Sequence, residues 1–116
     1  FVGRSSVVPV LWRGGARIPG GPAWPAIAGG GLQEGSDADL VVRPEGLAFA
    51  SQPSAEALEG TVVERRYAGR AAYFLVATAA GELEVLAPPE AAREGERVHV
   101  VPAPDGPTPR VFPRQP

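Results

Sequence analysis

Lysine and cysteine are both absent from the 116-residue chain, and histidine occurs once, as His99. Each absence removes a class of chemistry. Without lysine there is no Gly-x4-Gly-Lys-Ser/Thr loop to wrap a triphosphate, so the chain cannot be a P-loop motor on its own. Without cysteine there are no disulfides, thiolate metal sites or cysteine nucleophiles, which fits a reducing compartment. A zinc site or a Ser-His-Asp triad would rest on His99 alone. Flanked by Val98 and Val100, it reads as a strand residue on the opposite face from those valines, solvated or hydrogen-bonded rather than a base. No apolar run approaches the roughly 18 residues of a membrane helix, and no signal-peptide pattern opens the sequence. A net charge of −2 gives no basic face with which to neutralise nucleic-acid phosphates.

Turn formers and β-branched residues are plentiful. Gly 15 and Pro 14 make up a quarter of the chain, a share that borders on disorder. The 44% hydrophobic content and the alternating valine runs argue instead for many short strands separated by turns. A chain of this length buries roughly 65% of its unfolded surface as one domain, enough for a core without metals or cross-links.

Asp39-Leu40-Val41-Val42-Arg43-Pro44-Glu45 is the stretch around which the rest is arranged. Leu40 to Val42 is a short strand, and Pro44 stops it by removing a ladder donor and pushing Arg43 to extended geometry. Before it, Ser5 to Trp12 is a strand that Pro9 confines to an edge or a bulge. Ala16 to Ile18 and Trp24 to Ala28 are strand-like pieces in an irregular meander, and Trp12 and Trp24 are expected to pack in a core or interface. Gln52 to Glu59 is either one helical turn or a loop. After it, Gly60 to Ala68 alternates in the manner of a twisted barrel strand and ends at Gly69, expected at positive φ. Ala71 to Thr78 is apolar on both parities and reads as the most buried strand, with Leu75 facing inwards. A hairpin at Ala79-Ala80-Gly81 returns through Glu82 to Leu86, with Val85 inside. Pro88 to Gly95 carries a helix signature, with proline at the start and glycine at the cap. Arg97 to Val101 and Arg110 to Phe112 are the last strands. Strands about ten residues apart with turns between them predict an all-β fold, a small barrel or sandwich.

Two places offer side chains for binding. Arg43 and Glu45, at i and i+2, share a side if the backbone stays extended, as either a local ion pair pinning the strand end or a contact for a partner. Arg65, Arg66 and Arg70 surround Tyr67 and Gly69, the one local basic cluster, as either a solvated turn or an anion contact. Glu82, Glu84, Glu90, Glu94 and Glu96, interrupted by Arg93 and Arg97, read as an acidic solubility face.

The order of these pieces resembles a known family. A strand ending Arg43-Pro44-Glu45, then Gly60-Thr61-Val62, a Tyr67-Ala68-Gly69 turn, Gly95-Glu96-Arg97-Val98-His99-Val100 and a closing Val111-Phe112 are similar to the TOBE-type accessory domain. That domain ends the ATP-binding subunits of bacterial ABC importers for iron, polyamines, sugars and oxyanions. Phe1-Val2-Gly3 is similar to the join that follows the ATPase domain, although Ser5-Ser6 stands where the family often has Asn. The resemblance implies a small OB-like Greek-key β-barrel with at most one short helix, and a single domain in which residues 1–38 are an irregular β segment and 39–116 the main barrel strands. It further implies an ATPase domain upstream of Phe1, with ATP and Mg bound there and no cofactor in this chain. The implied partners are that ATPase domain, a second copy of the subunit, the transporter's membrane subunits indirectly, and a small anion or regulatory ligand, at the cytoplasmic face of the membrane. The implied function is regulation and dimerisation without catalysis. Arg43, Glu45, Arg66, Tyr67, Gly69 and Arg70 are the candidate interface or anion contacts. Two other classes compete with this reading. One is a free-standing oxyanion-binding protein, distinguished by titration with molybdate, tungstate and sulfate. The other is a single-strand nucleic-acid barrel, disfavoured because stacking aromatics on a basic groove are lacking.

Overall fold

A computed structural model describes residues 5–114; the Phe1-Val2-Gly3 join lies outside the described residues. Two sheets hold the strands of the described residues. The first has six strands in the order β3 (Ala23–Trp24), β2 (Ala16–Arg17), β1 (Ser6–Trp12), β5 (Asp37–Val42), β11 (Arg110–Pro113) and β4 (Ile27–Ala28). Its centre is β5, antiparallel to β1 on one side and to β11 on the other. Ala38, Leu40 and Val42 face the core while Asp37, Asp39 and Val41 face outwards, the period of two that a sheet with one dry face requires.

Pro9 sits in β1 at no cost to the ladder. The Trp12 N–H donates to the Ser36 carbonyl and the Trp12 carbonyl accepts from Gly35 N–H, so Trp12, and by alternation Val10 and Val8, direct their backbone bonds towards β5. Pro9 therefore turns its missing donor to the other side, where β2 pairs only with Leu11 and Trp12. This is the edge position expected of a strand proline.

The second sheet runs β6 (Leu47–Ala50), β10 (Arg97–Pro102), β7 (Leu58–Ala68), β8 (Ala71–Thr78), β9 (Gly81–Ala87). Strands β7, β8 and β9 form a meander through two tight hairpins, and β10 returns by a longer connection to lie beside β7, which is a Greek key. The sheet curls until β9 packs back against β6, giving an OB-like barrel. Leu58, Val62, Phe74, Val76, Leu83, Val85, Val98 and Val100 fill it, and Phe49 meets Phe74 edge-on with ring centroids 5.2 Å apart. Val8, Leu40, Trp24 and Val111 from the first sheet belong to the same continuous core. Trp24 is buried with its indole N–H donating to the Glu56 carbonyl at 2.7 Å, and Trp12 packs against the core's margin.

Several expectations from the sequence need correction. Leu75 does not face inwards: its cross-strand partner is Glu84, whereas Phe74 pairs with Val85 and Val76 with Leu83, and these pairs form the buried face. Both parities of β8 are apolar, so only the neighbouring strand could set which side is dry. Pro88 to Gly95 forms turns rather than a helix, because its backbone groups are taken up by β7. Gly95 N–H donates to the Val62 carbonyl, Val62 N–H to the Glu96 carbonyl, and the Arg65 guanidinium to the Pro89 and Ala92 carbonyls. The helical segment that forms among the described residues is a short 3-10 turn, Pro44–Gly46, so the extended backbone of Arg43 does not persist through Pro44. Strands β1 to β4, in the N-terminal part of the described residues, share one sheet with β5 and β11. Gly69 has φ +69°, as predicted, at the first position of the two-residue loop between Ala68 and Ala71.

Candidate functional site

The structure separates the two groups of candidate residues and uses each locally. At the end of β5, Arg43 Nε donates to Glu45 Oε2 at 3.0 Å, so the ion pair forms, across a 3-10 turn rather than an extended tripeptide. Both side chains remain substantially exposed. Beneath them the turn is tightly backed: Gly46 accepts from Ala103 N–H, and a Cβ on Gly46 would lie 2.9 Å from the Pro107 carbonyl oxygen. The connection between β10 and β11 is thus held against the Arg43 corner.

At the β7–β8 hairpin the basic cluster diverges. A bulge at Val63, between Val62 and Glu64, resets the alternation of β7, so Arg65 and Tyr67 lie on the face of Phe74 while Arg66 lies on the other. Arg65 reaches over the barrel end to the Pro89 and Ala92 carbonyls, and its guanidinium lies 5.1 Å from the Tyr67 ring centroid. Arg66 donates to Glu84 Oε2 at 2.6 Å and lies near Glu64. Glu84 is only 7% exposed, a carboxylate held on the outer side of the barrel by the Arg66 guanidinium. Arg70 and Gly69 are exposed at the loop. Arg66, Tyr67 and Arg70 therefore do not converge on the Gly69 turn. The acidic face also dissolves into separate contacts: Glu84 binds Arg66, Glu94 accepts from Arg65 N–H, and Glu96 accepts from Arg93 N–H. His99 pairs across to Ala50 and Glu59 on the face opposite Val98 and Val100, as its flanking valines indicated.

The surface that does converge is the outward face of the six-stranded sheet. Register places Val7 beside Val41, Val41 beside Arg110, Arg110 beside Ile27, and Phe112 beside Asp39. Val7 is 60% exposed, Ile27 48% and Phe112 43%, so three of the five exposed large apolar side chains among the described residues share this face. Arg110 stands within this row, between Val41 and Ile27, Arg43 follows the end of β5, and Asp39 pairs with Arg114 at 3.2 Å. Between Val41, Phe112 and the Pro107-Thr108-Pro109 segment is a cleft of about 250 Å³, also lined by Ser5, Arg43 and Arg110. Sequence reading singled out Arg43 and missed Arg110 and Phe112. The alternation Arg110-Val111-Phe112 indicated that these two share a face, but nothing in it revealed that the strand pairs with β5.

The family model described as TOBE domain matches residues 40–107, from the middle of β5 through the barrel to the proline-rich connection. The chain belongs to the TOBE domain family. No curated protein matches it. A TOBE domain is a non-catalytic module compatible with a regulatory or binding role. The matched segment contains Arg43, Glu45 and all five barrel strands, and it ends before β11, which brings Arg110 and Phe112 to the TOBE domain's exposed sheet.

Proposed function

We propose that this TOBE domain is the C-terminal accessory domain of an ABC importer's ATP-binding subunit, where it supports pairing of two subunits and carries a regulatory contact. ATP and Mg bind in the ATPase domain upstream, the membrane subunits are reached through that domain, and the assembly works at the cytoplasmic face of the membrane. The observation that carries the reading is the outward face of the six-stranded sheet. Exposed apolar residues gathered on one sheet face, with Arg110 and the Asp39–Arg114 pair set among them, have the mixed apolar and polar character of an interface between separately folded chains. A second copy is the occupant we assign to it, because closed two-fold contacts are the commonest arrangement of identical chains.

Light scattering over a concentration series tests this on the ATP-binding subunit with and without residues 1–116, alongside F112E in the intact subunit. The expected result is that removal of the domain, or the charge at position 112, moves pairing to at least tenfold higher concentration. Unchanged concentration dependence in both variants would remove the pairing role.

A further inference from the structure

The cleft beside Phe112 has the chemistry of a small-molecule site. Its lining is half apolar, from Val41, Phe112, Pro107 and Pro109, and the lining residues with polar side chains are Arg43, Arg110, Ser5 and Thr108. No acidic side chain lines it. Arg110 makes no ion pair among the described residues, and Arg43 is bound to Glu45 through Nε, with no bond from its terminal nitrogens among those residues. Register holds Arg110 beside Val41, and the proline-rich wall is braced where Gly106 packs onto the Glu45 carbonyl and the Gly46 Cα. The groups that would contact a ligand are therefore placed before it arrives.

We infer that this cleft binds a small carboxylate bearing one compact apolar group, a ring or a branched chain. Three features select that class. About 250 Å³ falls just below the roughly 300–1,000 Å³ of drug-sized sites, which suits a single ring and is more than a bare oxyanion needs. The guanidinium fork matches a planar carboxylate, and in a partly apolar setting such charge-assisted bonds are about twice as strong as neutral ones. Tetrahedral oxyanions are commonly held in nests of successive backbone N–H groups. Here Pro107 and Pro109 have no N–H to give, leaving that wall Thr108 alone.

The test is calorimetric titration of the chain, at a concentration where light scattering finds monomer, with benzoate, benzyl alcohol and sulfate as probes. Working on monomer separates this inference from the pairing reading, so either can fail without the other. The expected result is saturable binding of benzoate, at least tenfold tighter than either of the others. R110Q and F112A should each weaken benzoate at least fivefold, while R17Q, an exposed arginine on the same sheet outside the cleft, leaves it unchanged. Circular dichroism confirms that each variant is folded. Absence of saturable benzoate binding, equal binding of sulfate, or equal weakening by R17Q would overturn the inference.

Discussion

Gly60 and Gly69 both belong to the β7 hairpin, and they are required for different reasons. At Gly60 the strands cross closely: a Cβ there would stand 2.6 Å from Val76 Cγ1 and 2.8 Å from the Ala77 carbonyl oxygen. At Gly69 there is open space around the missing Cβ, and the constraint is φ +69° alone. G60A should therefore cost about 1–3 kcal/mol by overpacking a filled barrel. G69V should cost about 1–2 kcal/mol from the left-handed conformation. Urea unfolding of the two variants checks this, and a second substitution separates the causes. G69N, which tolerates positive φ, should recover much of the G69V loss, whereas at Gly60 every side chain is excluded by volume. At this scale the sequence was informative about Gly69, because a glycine between two β-runs implies a turn. It was silent about Gly60, because the atoms that crowd it belong to the partner strand.

At the scale of elements, hairpins and parity were legible where local chemistry decides them. The Ala79-Ala80-Gly81 turn forms, with Thr78 Oγ1 accepting from Ala80 N–H and donating to the Gly81 carbonyl. Val85 is buried because only one parity of β9 is apolar throughout. Parity failed at Leu75, and the helix failed at Pro88 to Gly95, where the decision lay with distant partners. A segment that short gains little from helical bonds against its nucleation cost, and β7 offers it better acceptors and donors. Arg65 is the side chain that fastens this connection. R65M should loosen it locally: exchange of the Ala91 and Gly95 amides is expected to speed up about tenfold, with the central amides of β8 unchanged. Uniform acceleration across β8 would show instead that Arg65 supports the whole barrel.

For the whole molecule, the unresolved question at the sequence level was how the ends of the chain join the middle. Strand β5 begins the family match, yet its neighbours β1 and β11 both lie outside it. Residues 40–107 alone would strip Leu40 and Val42 of their flanking strands, with Val8, Val10 and Val111 of the same core, and would lose Trp24 from it. We expect that fragment to lack the cooperative urea transition of the full chain; a sigmoidal transition with the same midpoint would show that the barrel is self-sufficient. The same arrangement has a mechanical consequence. Ser6 lies opposite Val42 and Pro113 opposite Ala38, so the backbone enters the six-stranded sheet at one end of β5 and leaves it at the other. Tension applied between those two points pulls along the strands, with the β1–β5 and β5–β11 ladders loaded in shear and their bonds strained together rather than opened one at a time. The domain can therefore transmit force through its first sheet while the barrel, hung from the Pro44–Gly46 turn and the proline-rich connection, stays off the load path.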